Sequence, residues 1–462
     1  MKKSEPPRRW LRRSLAAPAV VAVVAALLSG CGSSTHSSSP TTSSGGNGGS
    51  TKAGCPSGTA PGATATQVTA AVTVINISGG SLTNATVGVP SEQVQKADWN
   101  LVAGSINKSG GVGCRKLALQ FFNVNPIDAS AAQQACLNIA ATQPYMVLDS
   151  GALTGVGASD CIPGHKIPLI SSALTQDQLT KYYPYYMLIG DVPNDALHNG
   201  ILGLKQLGYF SSAKGFSKLG LLYHTCTPAL LTAQRSALTA AGVPDNKIVT
   251  YNLGCPAGQV DTTASMQQAV LSFKNAGVTD VNEVGVGDFG MFTQVAQQQN
   301  YKPHYVLDDN ALPANNQTTG ADAPNPANLN GAIDVVTGTG YGEQATPGYT
   351  PTGGTAKCNA LYAAAGQPNV YKQADGYGGV VCDYLSYVQT LLDHATKVGA
   401  STLASAIHSM GTVDLSYPGA PIDFSAAPAG SVYGVGYWRP VDYLSSCTCW
   451  QVPNSTFHPP FK

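Results

Sequence analysis

Charge is what this 462-residue chain has least of: Asp, Glu, Lys and Arg together make up 11% of it. Lys and Arg number 25 and Asp and Glu 25, but residues 1–30 hold six of the bases and one of the acids. The remainder carries 19 bases against 24 acids and is mildly acidic. That balance excludes nucleic acid as a partner, because phosphate contacts need a basic face. Long hydrophobic runs are missing too. The apolar stretch from Leu15 to Leu28 falls short of the about 20 residues that span a bilayer, and no other segment comes nearer. Catalytic signatures are absent: no GxSxG, no HExxH, no CxxC, and eight scattered histidines that form no triad pattern. A hydrolase and a zinc enzyme are therefore disfavoured, and no cofactor or metal is expected.

What is present begins with an export signal. Lys2, Lys3, Arg8, Arg9, Arg12 and Arg13 precede the apolar stretch, which ends in Leu28-Ser29-Gly30-Cys31. A basic front and a short apolar core describe a secretion signal over residues 1–30. The ending resembles the lipobox of bacterial lipoproteins, which makes Cys31 the expected lipidation site. Residues 31–54 are small and polar, a flexible tether with almost nothing to bury. The expected location is the outer face of a bacterial cell membrane, held there through a lipid anchor only.

Eleven cysteines leave ten once Cys31 is set aside, which in an exported protein allows up to five disulfides. Cys226 and Cys255 each fall just past consecutive strand candidates and form the one arguable pair. Cys447-Thr448-Cys449 fits a structural disulfide role better than a zinc site.

From Val68 onward apolar strand-like runs alternate with amphipathic stretches. Strands are expected at 68–77, 116–122, 145–149, 167–171, 185–190, 218–223, 248–253, 280–286 and 304–307. Helices are expected at 92–108 behind a Ser91 cap, then at 129–143, 194–207, 229–241, 263–276 and 290–299. Further helices follow at 356–365, 376–397 and 402–410, with a β-like end at 431–439. This alternation predicts parallel sheets covered on both faces, and more than 400 residues need two such lobes. Tyr384, Leu385, Val388, Leu391 and Leu392 on the long late helix are read as core.

Gly285-Val-Gly287-Asp288-Phe289-Gly290 matches GxGxxG, with Asp308 and Asp309 about 20 residues on, where a ribose-binding acid would stand. A dinucleotide fingerprint normally opens its domain, and here it lies deep in an exported body. The Asp-Phe-Gly within it lacks the HRD loop and strand lysine of a kinase. Asp288 sits where a parallel strand gives way to a helix, the position where open α/β sheets bind ligands. It can cap that helix, or accept hydrogen bonds from a cationic ligand group.

Residues 72–119 carry a resemblance. A strand, a Ser-Gly loop and a helix ending in Ile106-Asn107-Lys108-Ser109-Gly110-Gly111 before a second strand are similar to the opening of the type I periplasmic binding proteins. Within them the sequence resembles the leucine/isoleucine/valine-binding receptors of ABC transporters, from Val68 to the last helices. The resemblance implies two doubly wound α/β lobes joined by three crossovers, with lobe 1 at 66–186 plus 311–418 and lobe 2 at 187–310 plus 419–452. It implies a receptor that closes on a small amino acid or related carboxylate and hands it to ABC permease subunits. In that family small and hydroxyl residues of the first lobe hold the ligand carboxylate. The matching positions are Ala173 and Thr175 in "PLISSALT" and Ser150 and Thr154 in "DSGALTG". Asp288 matches the second-lobe acid that holds the α-ammonium. Two departures touch the side-chain pocket: "NVNPID" replaces an acidic pair, and His224-Thr225-Cys226 stands where a tyrosine is common. His224 is a pocket candidate or a structural histidine. A sensory or structural surface lipoprotein on the same fold is the alternative.

Overall fold

The computed structural model describes residues 55–461 except 80–81, 85–88, 154–159, 173, 175, 226–227, 256–260, 285–288, 309–324, 337–352, 368–376, 417–420 and 454–456. Cys31, the tether, Thr154, Ala173, Thr175, Cys226 and Asp288 lie outside the described residues.

The first sheet and its helices come from β1 (Gln67–Ile75), a hairpin of β2 (Ser78–Gly79) and β3 (Leu82–Thr83), α1 (Glu92–Lys108), β4 (Lys116–Val124), α2 (Ala129–Ala141), β5 (Met146–Asp149), α3 (Cys161–Gly164), β6 (Leu169–Ser171), α4 (Gln176–Lys181) and β7 (Tyr186–Leu188). Its strand order is β4-β1-β5-β6-β7, all pairs parallel. β1 is an interior strand, buried along most of its length, which is why it reads as an apolar run and not as an alternating one.

The family-like motif has a mechanical role here. Asn107 at the end of α1 accepts from Leu117 N at 2.8 Å and donates to Leu117 O at 2.9 Å, locking the helix to β4. Gly111 has φ +79°, and a Cβ on it would meet Arg115 O at 2.0 Å. Only glycine fits that turn. Arg115, buried, then donates to the carbonyls of Pro56 (2.6 Å), Gly58 (3.1 Å), Thr64 (2.7 Å) and Gly113 (3.2 Å). One guanidinium thus pins the leading segment of the folded body, and the Cys55–Cys114 disulfide reinforces it.

The second sheet is built from α5 (Pro193–Gln206), β8 (Leu219–Tyr223), α6 (Pro228–Ala241), β9 (Ile248–Asn252), α7 (Thr263–Ala276), β10 (Asp280–Val284), α8 (Phe289–Gln298), β11 (His304–Asp308), α9 (Pro326–Leu329) and β12 (Ile333–Val336). The chain then returns to the first core through α10 (Gly353–Ala364), α11 (Tyr377–His394), α12 (Ala400–Ile407) and the antiparallel β13 (Thr412–Asp414), β14 (Pro421–Asp423) and β15 (Val435–Gly436). It ends back on the second sheet with β16 (Arg439–Leu444) and β17 (Cys449–Gln451). That sheet has the order β17-β16-β12-β11-β10-β8-β9, parallel except for β16 and β17.

The chain therefore passes three times between the first lobe's core and the clusters that cover the second sheet, and the sheets correct the expected lobe boundaries. β7 pairs with β6, so the first lobe runs past 186 to Leu188. β12 pairs with β11, so the return begins after Val336 and not at 311. Ile422, Phe424, Val432 and Tyr433 belong to the first core, so 419–436 is not lobe 2. The reason is physical: crossovers leave no mark in hydrophobic periodicity, and strand pairing alone decides them. Crossovers one and three run side by side, with Leu188 N donating to Val432 O (2.8 Å), Gly434 N to Gly190 O (3.0 Å) and Gly436 N to the Asp191 carboxylate.

Two glycines let α5 lie close on the second sheet. A Cβ on Gly200 would stand 2.4 Å from Asp308 Cβ, and one on Gly203 would stand 2.8 Å from Val335 Cγ1. The first lobe is stapled by Cys136–Cys161 between α2 and α3 and by Cys358–Cys382 between α10 and α11. Cys255 and Cys447 are also disulfide-bonded. No helix among the described residues is long and apolar enough to cross a membrane.

Candidate functional site

Parallel strands end where ligands bind in open α/β sheets, so the site is built from the carboxyl ends of each sheet. In the first lobe β5 ends at Asp149, whose side chain is fully buried. Its Oδ1 accepts from Thr73 Oγ1 at 2.7 Å and from Leu153 N at 3.1 Å, which folds the 149–153 loop back on β1. Burial pushes the Asp149 carboxyl above its usual range, against the pull of those hydrogen bonds. Ser150 follows. Its hydroxyl is buried and hydrogen-bonds the Tyr377 phenol. The backbone N–H groups of Gly151 and Ala152 also favour the Asp149 carboxylate. Ser150 thus places a hydroxyl at the strand end with capacity for a further partner, since a hydroxyl can both donate and accept.

Tyr377 is the hub of this corner. It accepts from Trp99 Nε1 at 2.9 Å and donates to Gln95 Oε1 at 3.3 Å. Gln95 in turn holds the end of β1, bonding both Ile75 N (3.0 Å) and Ile75 O (2.8 Å). Burial raises the Tyr377 phenol to about 12, so it stays a neutral donor and acceptor at any physiological pH. One turn deeper, Asp98 beside Tyr362 is raised to about 6, chiefly by burial. The notable feature is chemical: hydroxyls, phenols, an indole and carboxyls meet at this end of the sheet.

In the second lobe, His224 immediately follows β8 and is fully buried. Its Nε2 lies 2.8 Å from Asp261 Oδ2, and its Nδ1 has no partner among the described residues. Asp261 precedes α7, so the pair joins the ends of two elements. Behind it runs a buried amide–carboxylate network. Gln234 Nε2 donates to Asn282 Oδ1 (2.8 Å) and Asp308 Oδ2 (2.9 Å), and Asn282 Nδ2 donates to Asp308 Oδ2 (3.0 Å) and Val306 O (2.6 Å). Asp308 is thus committed inside the sheet and is not displayed as a ribose acceptor would be. β10 ends at Val284 and α8 begins at Phe289; Asp288 itself lies outside the described residues.

Of the residues expected from sequence, Ser150 stands at the first lobe's strand ends and His224 at the second's. Cys255 lies past β9 and is disulfide-bonded. Sequence reasoning missed Tyr377, Gln95, Trp99, Asp261 and the Gln234–Asn282–Asp308 network. Asn282 within the buried strand "DVNEV" was the one available signal, since an amide there must find partners. Among the described residues no group of three or more His, Cys, Asp or Glu is placed to hold a metal ion.

The architecture of two sheets, three passes and strand ends carrying polar groups has counterparts among solved structures. A fatty acid ABC transporter substrate-binding protein from Thermomonospora curvata aligns with a TM-score of 0.59 at 16% identity, over 87% of this chain and 95% of that one. The chain has the type I periplasmic-binding fold. The branched-chain amino acid substrate-binding protein LivJ from Streptococcus pneumoniae, in complex with isoleucine, has a TM-score of 0.56 at 14% identity, over 85% and 100%. A solute-binding protein of an ABC transporter from Rhodopseudomonas palustris BisB5, in complex with 3,4-dihydroxybenzoic acid, has 0.58 at 15%, over 86% and 98%. No family model and no curated protein matches this chain. At such identities the likeness carries the fold, and the site must be argued from this chain's own residues.

Proposed function

We propose that this chain is an extracytoplasmic solute-binding receptor of an ABC importer, and not an enzyme, which takes a small amino acid or related carboxylate between its two lobes. The observation that carries this reading is the cluster of neutral polar groups at the carboxyl end of β5, where the Ser150 hydroxyl, the Tyr377 phenol and the Trp99 indole meet. A carboxylate arriving there can accept from those donors. The neighbours support the choice of ligand class: a fatty acid receptor by name, and complexes with isoleucine and 3,4-dihydroxybenzoic acid, have a carboxyl group in common.

Thr154, Ala173 and Thr175 on the loops after β5 and β6 complete the carboxylate site in this proposal. Asp288, at the β10–α8 turn, takes an ammonium where the ligand has one, and His224, held by Asp261, lines the second-lobe wall. A ligand that bridges both lobes favours the closed arrangement by its differential affinity for it. ABC permease subunits would recognise that closed form. Cys31 carries the lipid in this reading, residues 31–54 form the leash, and Cys226 pairs with Cys255.

The test is a thermal-shift screen of residues 55–462, oxidised, against isoleucine, 3,4-dihydroxybenzoate, octanoate, simple amides and sugars. A ligand at 100 times its Kd adds about 2.7 kcal/mol of stability. A shift with carboxylates supports the reading. A shift confined to sugars or amides overturns the carboxylate site, and silence across a folded sample favours a surface lipoprotein without a transporter.

A further inference from the structure

Tyr384 sits on α11 among core residues, and its ring packs edge-on against Trp99 with centroids 5.8 Å apart. Packing does not account for its hydroxyl. The phenol O–H donates to the backbone carbonyl of Asp149, the last residue of β5, and its oxygen lies 3.3 Å from Ser172 Oγ, just past β6. β5 and β6 are parallel neighbours whose last paired residues are Asp149 and Ser171. Beyond that pair no backbone hydrogen bond joins residues 150–153 to 172–174 among the described residues. The Tyr384 hydroxyl spans the two loops. One turn along the helix, Tyr387 is equally buried, yet its hydroxyl has no partner among the described residues. The same helix therefore offers a phenol that bridges and a phenol that only fills space.

We infer that Tyr384 is a positioning residue: its hydroxyl sets the separation between the loop after β5 and the loop after β6, and so the spacing at which their hydroxyl groups meet a ligand. The functional weight of this rests on the receptor reading above, and the geometric claim stands without it. A clamp from a buried, preorganised phenol keeps two loops in one arrangement before any ligand arrives, which lowers the cost of ordering them on binding.

The experiment is amide hydrogen exchange on oxidised, unliganded residues 55–462, comparing wild type, Tyr384→Phe, Tyr387→Phe and Ser172→Ala. Tyr384→Phe is expected to speed exchange at least tenfold in peptides covering 149–153 and 171–174 together, with β8 and β10 unchanged. Tyr387→Phe is expected to leave both loops at wild-type rates. Ser172→Ala, at an exposed position that does not threaten folding, is expected to loosen 171–174 while 149–153 holds. Wild-type rates in both loops of Tyr384→Phe, a change in one loop only, or loosening throughout the protein would overturn the inference. So would unchanged exchange in Ser172→Ala, which decides the matter should Tyr384→Phe not fold. Because no ligand is used, failure here leaves the receptor reading intact, and a silent ligand screen leaves this result intact.

Discussion

The two lobes bury polar groups in different places. In the second, Gln234, Asn282 and Asp308 hydrogen-bond one another inside the sheet, and glycines bring α5 down upon them. In the first, disulfides hold the helices, and hydroxyls, a phenol and an indole gather at the strand ends around Ser150 and Tyr377. A network inside the sheet contributes rigidity; donors at the strand ends contribute affinity once a ligand accepts from them. The contrast places the candidate carboxylate site on the first lobe.

The comparison can be broken most forcefully at its covalent end. Replacing Cys136 and Cys161 by serine opens a loop of 25 residues, which the chain-entropy account makes worth about 3.5 kcal/mol. Denaturant unfolding should show that loss, with the first lobe's probes melting before the second's. Asn282→Leu comes next, because it leaves Gln234 and Asp308 buried without their shared partner. A loss of about 3 kcal/mol is expected, and coincident melting with wild type would mean that the network is not as closed as its distances imply. Gly203→Ala forces a Cβ to within 2.8 Å of Val335 and 3.1 Å of the Trp438 ring, for a loss of about 2 kcal/mol.

The smallest effect is a pH dependence. Asp98 titrates near 6 in the folded protein because it is buried, well above its ordinary range. Between pH 4 and 6 the folded state keeps a proton that the unfolded chain has lost, so this group's contribution to stability falls as pH rises through that window. Asp98→Asn removes the slope. The variant should gain ~2 °C in Tm over wild type on going from pH 4 to pH 7. A constant difference across that range would show that Asp98 titrates normally.

Much of the fold was legible in the sequence, since buried parallel strands such as Val68–Ile75 read as unbroken apolar runs and Ser91 announces α1. The Asn107–Gly111 motif was legible as a family likeness, and its cause, an amide locked to β4 and a turn only glycine can make, became visible in three dimensions. The lobe boundaries were not, and neither were β13, β14 and β17, although β15 lies within the expected β-like end at 431–439. Those strands are mostly short, and β16 owes its place to β12, far back along the chain. The Trp99–Tyr377–Gln95 hub was hidden for the same reason: α1 and α11 are separated by more than 260 residues. Tyr384 was legible as core, and its ring is core; its hydroxyl acts on loops that sequence order keeps 212 and 235 residues away.

The most direct test of the central claim is a calorimetric titration of the strongest carboxylate found in the thermal screen into wild type, Ser150→Ala and Asp288→Ala. The account predicts at least tenfold weaker binding in Ser150→Ala for every carboxylate, about 1.4 kcal/mol, and weakening in Asp288→Ala only for ligands that carry an ammonium group. Wild-type affinity in Ser150→Ala would contradict it, because the hydroxyl at the first lobe's strand end would then not be where the ligand binds.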